Sequence, residues 1–265
     1  MLWSEKKKNR KWQERPMLYK GRFYYIRRVL HVFTAFIIAA CFVSLWMYLH
    51  HSDTLSIKKI DILGDLIHVT KQNIVTLTQL ENSDKLFAVE LRSIQDNIQK
   101  HYWIKEAKVR RKFPDTLQIH ITERMPKAIL MTHKMYLVDD TGKVFKKIEK
   151  NDNKDLPVIT GFTDDFIKKN PYLAKRHFNF TMAILKFLEK QNYYQEDPIS
   201  EIHFDSVSGF TIFTKDSGLE VYYGRKDFVR KQKVLEKFKL SKHYNENNYV
   251  RLDLNKLGRI IARKN

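Results

Sequence analysis

Asp140-Thr141-Gly142 has the spelling of an aspartic-protease motif, and apolar Leu137 and Val138 precede it. That chemistry needs two aspartates sharing one proton, from a second copy of the motif or from a homodimer. The sequence holds no second Asp-Thr-Gly, and Lys143 follows where a small residue is usual. Asp and Gly are also the residues a hairpin turn uses, so the triplet reads as a turn. The ten histidines form no His-Glu-x-x-His and no Cys/His ligand set, the spacings that a bound zinc requires. His50-His51 reads as the polar boundary of an apolar run rather than as a metal pair. Cys41 is the single cysteine, which excludes an intramolecular disulfide, a cysteine zinc cluster and an iron–sulfur site. Walker A, dinucleotide-binding and Gly-x-Ser-x-Gly patterns do not occur. The expectation is a protein with no catalytic residues, no cofactor, no metal and no small-molecule substrate.

What organises the chain is charge and hydropathy. The 265 residues carry a formal net charge of +19. Ten Lys/Arg against Glu5 and Glu14 fall within residues 1–28, a net of +8. Residues 29–49, VLHVFTAFIIAACFVSLWMYL, then run without a formal charge. About 20 such residues span a bilayer as a helix. Trp46 and Tyr48 at one end, and Tyr24 and Tyr25 at the other, suit interfacial aromatic belts. A buried core helix is the competing reading, but core helices rarely stay apolar on every face over this length. A cleaved signal has a shorter basic start and an apolar core of about 7–15 residues. Ile38-Ala39-Ala40-Cys41 resembles a lipidation signal, yet mostly apolar residues follow it, so Cys41 reads as part of the span. The Lys/Arg excess keeps residues 1–28 cytoplasmic and sends residues 50–265 across the membrane. The tail, with Trp3, Trp12 and Tyr19 among its cations, has a nucleic-acid-like composition. Positive-inside bias and attraction to anionic lipid explain it more simply, so no nucleic-acid partner is expected.

The exported part reads as two α+β blocks. Residues 57–63 are a strand ending at Gly64-Asp65. Thr70 is placed to N-cap a helix, with Val69 and Ile74 at the two positions of a hydrophobic staple. Leu91, Ile94 and Ile98 mark a second helix. Ala107–Arg111, the turn Phe113-Pro114-Asp115 and the alternating Thr116–Thr122 follow, giving strand, helix, helix, strand, strand. The second block opens near residue 127. Tyr136–Val138 and Lys143–Phe145 read as a hairpin, and Tyr172–Lys190 as a helix. Glu201–Asp205, Phe210–Lys215 and Leu219–Tyr223 read as strands, and Asp227–Leu240 as a helix. Tyr249–Leu254 and Arg259–Arg263 close the chain as strands joined around Gly258. The block is a mostly antiparallel sheet with helices on it.

With these residues placed, the chain resembles the FtsQ/DivIB family of bacterial cell-division proteins over nearly its whole length. The resemblance rests on IKKIDILGD, on residues 101–130 (HYWIKEAKVRRKFPDTLQIHITERMPKAIL), on LVDDTGKVF, on GLEVYYGR and on LDLNKLGRIIAR. Trp103-Ile104 keep the family's turn with Tyr102 in place of its proline. Phe113 replaces a tryptophan, Pro114, Leu117, Glu123 and Pro126 match, and Asn255 stands where an arginine is usual. The resemblance implies four parts: a cytoplasmic tail (1–28), a transmembrane helix (29–49), a POTRA domain of the FtsQ type (55–126) and a sheet domain (127–265). It implies a non-enzymatic, single-pass inner-membrane scaffold at the division septum. Such a scaffold binds FtsB and FtsL and links early division proteins to septal peptidoglycan synthesis. A membrane-anchored POTRA protein of some other envelope or transport assembly is the alternative.

Trp103 and Phe113 are expected to pack in the core or at a hinge, and Glu123 to pin the junction between the two domains. Arg110 and Arg111 lie on a basic, edge-like strand, as a solvated face or a partner surface. The last strand is expected at a sheet edge, because a final strand needs a neighbour on one side only and its other side can accept an added strand. Tyr249, Arg251, Asp253, Arg259, Ile260, Ile261, Ala262 and Arg263 are the expected contacts for FtsB there. The competing reading has Ile260 and Ile261 closing the core, with Lys264-Asn265 capping the edge.

Overall fold

The computed structural model describes residues 19–51, 56–81, 84–241, 249–256 and 258–264. The cytoplasmic tail of the sequence reading is described only from Tyr19 onward, and its Trp3 and Trp12 lie outside the described residues. Helix α1 (Tyr19–His51) carries the apolar run. Its window Tyr25–Tyr48 has a mean hydropathy of 2.2, and none of it is buried against protein. The helix is long enough to cross a bilayer and has no polar face to turn toward water. Cys41 is exposed within it, and the helix continues to His51.

The chain divides into two compact units. The smaller takes the chain up to Ile60, with Glu81–Glu90 and Arg111–Leu117. Within it the Ile57 N–H donates to the Asp84 carbonyl and the Lys58 N–H to the Asp115 carbonyl, both at 2.9 Å. Leu86 is fully buried.

The larger unit takes Asp61–Leu80, Leu91–Arg110 and the chain from Gln118. After α1 the chain forms β1 (Lys59–Leu63), α2 (Lys71–Thr78), α3 (Leu91–Gln99), β2 (Ile104–Lys112) and β3 (Thr116–Glu123), each of the three strands having one end among the residues of the smaller unit. The strands lie in the order β1-β3-β2. Thr70 does cap α2, its hydroxyl accepting the Asn73 N–H at 3.2 Å, and Val69 and Ile74 are both buried. Ile94 and Ile98 are the buried face of α3, four residues apart as one side of a helix demands. On β3, Leu117, Ile119, Ile121 and Glu123 point inward in strict alternation.

Next come β4 (Pro126–Met131), β5 (Met135–Asp139), β6 (Val144–Lys147) and β7 (Val158–Thr160). Helices α4 (Asp164–Lys169), α5 (Pro171–Leu188) and α6 (Asn192–Glu196) precede β8 (Ile199–Asp205), β9 (Gly209–Thr214) and β10 (Glu220–Gly224). Helix α7 (Phe228–Lys239) leads to β11 (Tyr249–Asp253) and β12 (Ile261–Lys264). The nine strands form one sheet, β12-β11-β10-β9-β8-β7-β4-β5-β6. Three neighbouring pairs are parallel, β10–β11, β4–β7 and β7–β8. The other five are antiparallel, so the sheet is mixed with an antiparallel majority. Helix α5 starts with Pro171 in its first turn and buries Ala174, Phe178, Met182, Leu185 and Leu188, one stripe of a 3.6-residue repeat. Rings run through this core: Phe162 stacks on Phe204 at 5.1 Å, Phe204 meets Phe210 at 5.3 Å, and Phe210 meets Phe228 at 5.6 Å.

Candidate partner-binding surfaces

The C-terminal strand is one end of the large sheet, and all four residues of β12 are exposed. It pairs antiparallel with β11 alone, in the register Tyr249↔Lys264, Arg251↔Arg263, Leu252↔Ala262 and Asp253↔Ile261. The strand begins two residues later than the spacing suggests. Gly258 adopts φ +77°, and the Arg259 N–H closes a turn onto the Lys256 carbonyl at 3.3 Å, so Arg259 and Ile260 belong to the approach. Ile260 is half-buried against the core, whereas Ile261 is 52% exposed. The core-closing role therefore falls to Ile260 and not to Ile261.

The other residues of this group divide by what already holds them. Arg251 reaches Glu220 on β10 at 3.4 Å and lies 5.5 Å over the Tyr222 ring. The Asp253 carboxylate accepts the Asn255 N–H at 2.8 Å. Tyr249 packs against Phe238 of α7 at 5.7 Å. Arg263 and Ala262 sit exposed on the edge itself. The cross-strand row Glu220, Arg251, Arg263 alternates in sign only as far as Arg251.

Arg110 and Arg111 part company. Arg110 is exposed on β2. The Arg111 guanidinium is spent inside its unit, donating from Nε to the Leu86 carbonyl at 2.6 Å and from Nη2 to the Val89 carbonyl at 2.7 Å. Neither bond was legible in sequence, because the acceptors are backbone atoms more than 20 residues away.

The residues around Glu123 do different work from the one expected. Glu123 accepts the His68 and Val69 N–H groups at 3.0 and 2.9 Å, and His68 Nδ1 at 3.0 Å. It thus fixes the loop between β1 and α2 to the end of β3. The tie to the large sheet comes from the next residue, Arg124. Its N–H donates to the Trp103 carbonyl at 2.7 Å, and its Nη1 donates to Asp139 Oδ2 at 2.6 Å. Asp139 Oδ1 collects the Thr141 N–H, the Thr141 hydroxyl and the Lys143 N–H at 2.6–2.9 Å. Burial pushes the Asp139 carboxyl up, but these donors and Arg124 outweigh it and hold it below the usual carboxylate value. Asp140, the residue of the protease-like triplet, faces Lys105 at 2.8 Å on the surface.

Trp103 is buried as expected, stacked on His68 at 3.5 Å and edge-on to Phe145 at 5.3 Å. Lys146 lies 5.8 Å over the same indole while bonding Asp152 at 2.5 Å. Burial pushes Lys146 down, and its carboxylate partners Asp152 and Glu149 more than reverse that, so it stays charged. Phe113, by contrast, is 63% exposed, 5.5 Å from Phe87. The core packing expected for it as one of two readings is not found: it lies exposed in the turn between β2 and β3. Among the described residues, no three His, Cys, Asp or Glu side chains are placed to hold a metal ion.

Comparison with known proteins agrees with this architecture. Residues 55–124 match the family model of the FtsQ-type POTRA domain, and residues 128–255 that of the cell division protein FtsQ/DivIB C-terminal region. The chain is similar to the cell division protein FtsQ of Syntrophotalea carbinolica, 31% identical over 198 residues, covering 75% of this chain and 69% of that one. It is 32% identical to FtsQ of Geobacter sp. strain M21 over 169 residues, 64% of this chain, and spans 62% of that relative's length. With FtsQ of Neisseria meningitidis it shares 26% identity over 209 residues, 79% of this chain and 80% of the relative.

Proposed function

This chain belongs to the FtsQ/DivIB family of cell division proteins, and from that premise we propose that it is a single-pass scaffold of the bacterial division machinery. Family members are division proteins and not enzymes, in keeping with the turn role of Asp140-Thr141-Gly142. In this reading residues 1–28 stay in the cytoplasm, 29–49 cross the inner membrane, and 55–126 and 127–265 lie outside it at the septum. The scaffold holds FtsB and FtsL and connects earlier division proteins to septal wall synthesis. Arg110, with its free face on β2, belongs to the surface offered to other division proteins.

The observation that carries the proposal is the exposed terminal strand β12. A free edge offers its unpaired N–H and C=O groups to an incoming segment, here one of FtsB. Side-chain register adds selectivity. Arg251 and Arg263 are direct cross-strand neighbours, and like charges so placed are unfavourable. An acidic residue of FtsB opposite Arg263 continues the alternation that Glu220 and Arg251 begin, and it speeds encounter at low salt.

The test is co-purification of FtsB and FtsL with the full-length chain from membranes. Deleting Gly258–Asn265 abolishes FtsB recovery while the first domain stays folded. Ile261→Pro weakens recovery where that N–H faces the partner and unfolds the edge where it faces β11, and Arg263→Glu weakens recovery in a salt-dependent manner. Full recovery of FtsB by the truncated, still-folded protein refutes strand addition at β12.

A further inference from the structure

A second surface lies on the helical side of the large sheet. Helices α5 and α7 leave an open trough of about 560 Å³ between them. Its floor is Ile184 and Phe228, both buried, and its walls are Phe180, Phe187 and Val229. Phe180 is 44% and Val229 56% exposed, far more than isolated wall residues of a closed core. Past Phe180 and Ala183 the trough runs into a neighbouring groove of about 730 Å³ beside β8 and β9.

Three features of this trough point to one kind of occupant. The apolar wall residues of α5, Leu173, Phe180, Ile184 and Phe187, follow one another at spacings of seven, four and three, so they lie along one side of the helix and offer a long apolar wall of the kind that an amphipathic helix lies against. From Leu173 to Phe187 they cover about 21 Å at 1.5 Å per residue, the length of a short helix. The walls are held in place: Phe180 and Phe210 both meet Phe228 edge-on, at 5.7 and 5.6 Å. The rim is cationic, with Arg176 and Arg225 along one groove and Arg230 and Lys233 along the other. None of these four has a carboxylate partner among the described residues. The acids nearby are Asp227 and Asp205, and the Asp205 Oδ1 is taken by the Val207 and Ser208 N–H groups and the Ser208 hydroxyl. His177, stacked on Phe204 at 4.6 Å, is pushed down by burial and by Arg176 and Arg225; with Arg176, Arg225, Arg230 and Lys233 against Asp205 and Asp227, the lining is net positive. An apolar centre inside a charged rim is the anatomy of a protein interface, and an exposed apolar patch of this kind marks an interaction site.

We propose that the trough between α5 and α7 docks an amphipathic helix with acidic flanks, carried by a partner protein on the same side of the membrane as residues 55–265. The site is separate from β12 and needs no strand addition. Two synthetic peptides of about 18 residues serve as probes, with the same leucine stripe and either glutamate or lysine flanks. The full-length chain in nanodiscs binds the glutamate probe saturably, and added salt weakens that binding. The lysine probe does not bind. The exposed-site variants Arg230→Glu/Lys233→Glu and Ala183→Phe each weaken the glutamate probe by roughly tenfold or more, and Arg263→Glu on the exposed strand β12 leaves it unchanged. In cells, a photo-crosslinker at Val229 joins an acidic amphipathic segment of another protein, and Arg230→Glu/Lys233→Glu abolishes the crosslink. Equal binding of the two probes, no effect of the rim reversal, loss of the probe in Arg263→Glu, or a Val229 crosslink to lipid or to a second copy would each overturn the assignment.

Discussion

Replacing Arg124 by methionine removes one charge while keeping much of the side-chain volume. The Arg124 side chain is 9% exposed and its partner Asp139 is fully buried, with 2.6 Å between Nη1 and Oδ2. Without Arg124, Oδ2 loses its donor where water cannot replace it, which costs about 1–3 kcal/mol. The guanidinium also lies 6.0 Å from the Phe145 ring, worth about 0.5–1 kcal/mol more. The sum, about 1.5–4 kcal/mol, overlaps the low end of what breaking a buried ion pair costs, because Oδ1 keeps its three donors. Urea unfolding of the full chain in micelles reads it, followed by Trp103 fluorescence with the other tryptophans replaced by phenylalanine. The pH dependence has a defined sign. The Asp139 carboxyl is depressed in the folded state, so its charged form contributes fully above the unfolded value of about 3.9. That contribution is lost as pH falls through the lower folded value. The deficit of Arg124→Met is thus complete at neutral pH and closes only below about pH 4. Combining it with Asp139→Asn gives a coupling of at least about 1 kcal/mol. A loss under about 0.5 kcal/mol, or strict additivity of the two changes, refutes the reasoning.

Gly161→Ala prevents folding or costs more than about 3 kcal/mol, measured by circular dichroism and soluble yield. Gly161 holds φ +90°, and an added Cβ falls 1.7 Å from the Phe204 carbonyl oxygen. Arg111→Lys loses the two-pronged hold on the Leu86 and Val89 carbonyls, worth about 1–2 kcal/mol; hydrogen exchange across residues 84–90 accelerates while the large sheet is unchanged. Asp140→Asn costs under about 1 kcal/mol, since Asp140 and Lys105 are a half-buried pair open to solvent screening, and the variant supports cell division as the parent does. A division defect in that last strain, at normal protein level, would reopen a chemical role for the triplet.

Periodic features were legible in the sequence, and long-range polar contacts were not. Helix α3 and strand β3 announce themselves because burial on one face imposes a period of four or two. Strand β4 does not: Ala128, Ile129 and Leu130 are all buried, so no alternation marks it. Strand β7 has three residues and helix α6 has five, too few for any period to show. In Asp139-Asp140 the motif drew attention to the second aspartate, while the first is the buried one that closes the turn and receives Arg124. Glu123 and Arg124 illustrate the same limit. Both were visible as charges beside a strand end, but which one reaches the large sheet depends on strand alternation continuing or breaking at residue 124. Arg124 is buried directly after buried Glu123, a break that no local pattern encodes.

The terminal edge combines two requirements that pull against each other. A strand left open for a partner is open to a second copy of the same chain, and sheets ordinarily blunt such edges. Here the blunting charges are all of one sign: Arg259, Arg263 and Lys264 surround Ile260, Ile261 and Ala262. Two copies pairing edge to edge would set these cations against one another, and like charges directly opposite are destabilising. An acidic segment meets the same cations with the opposite sign. One set of side chains therefore opposes self-association and favours the partner, and it does so without a proline in β12 that would cost the edge a backbone donor. The consequence is measurable. Replacing Arg263 and Lys264 by serine weakens capture of an acidic segment and, at the same time, raises self-association of the full chain in sedimentation. A variant that lost partner binding with no gain in self-association would show that the charges serve selection alone.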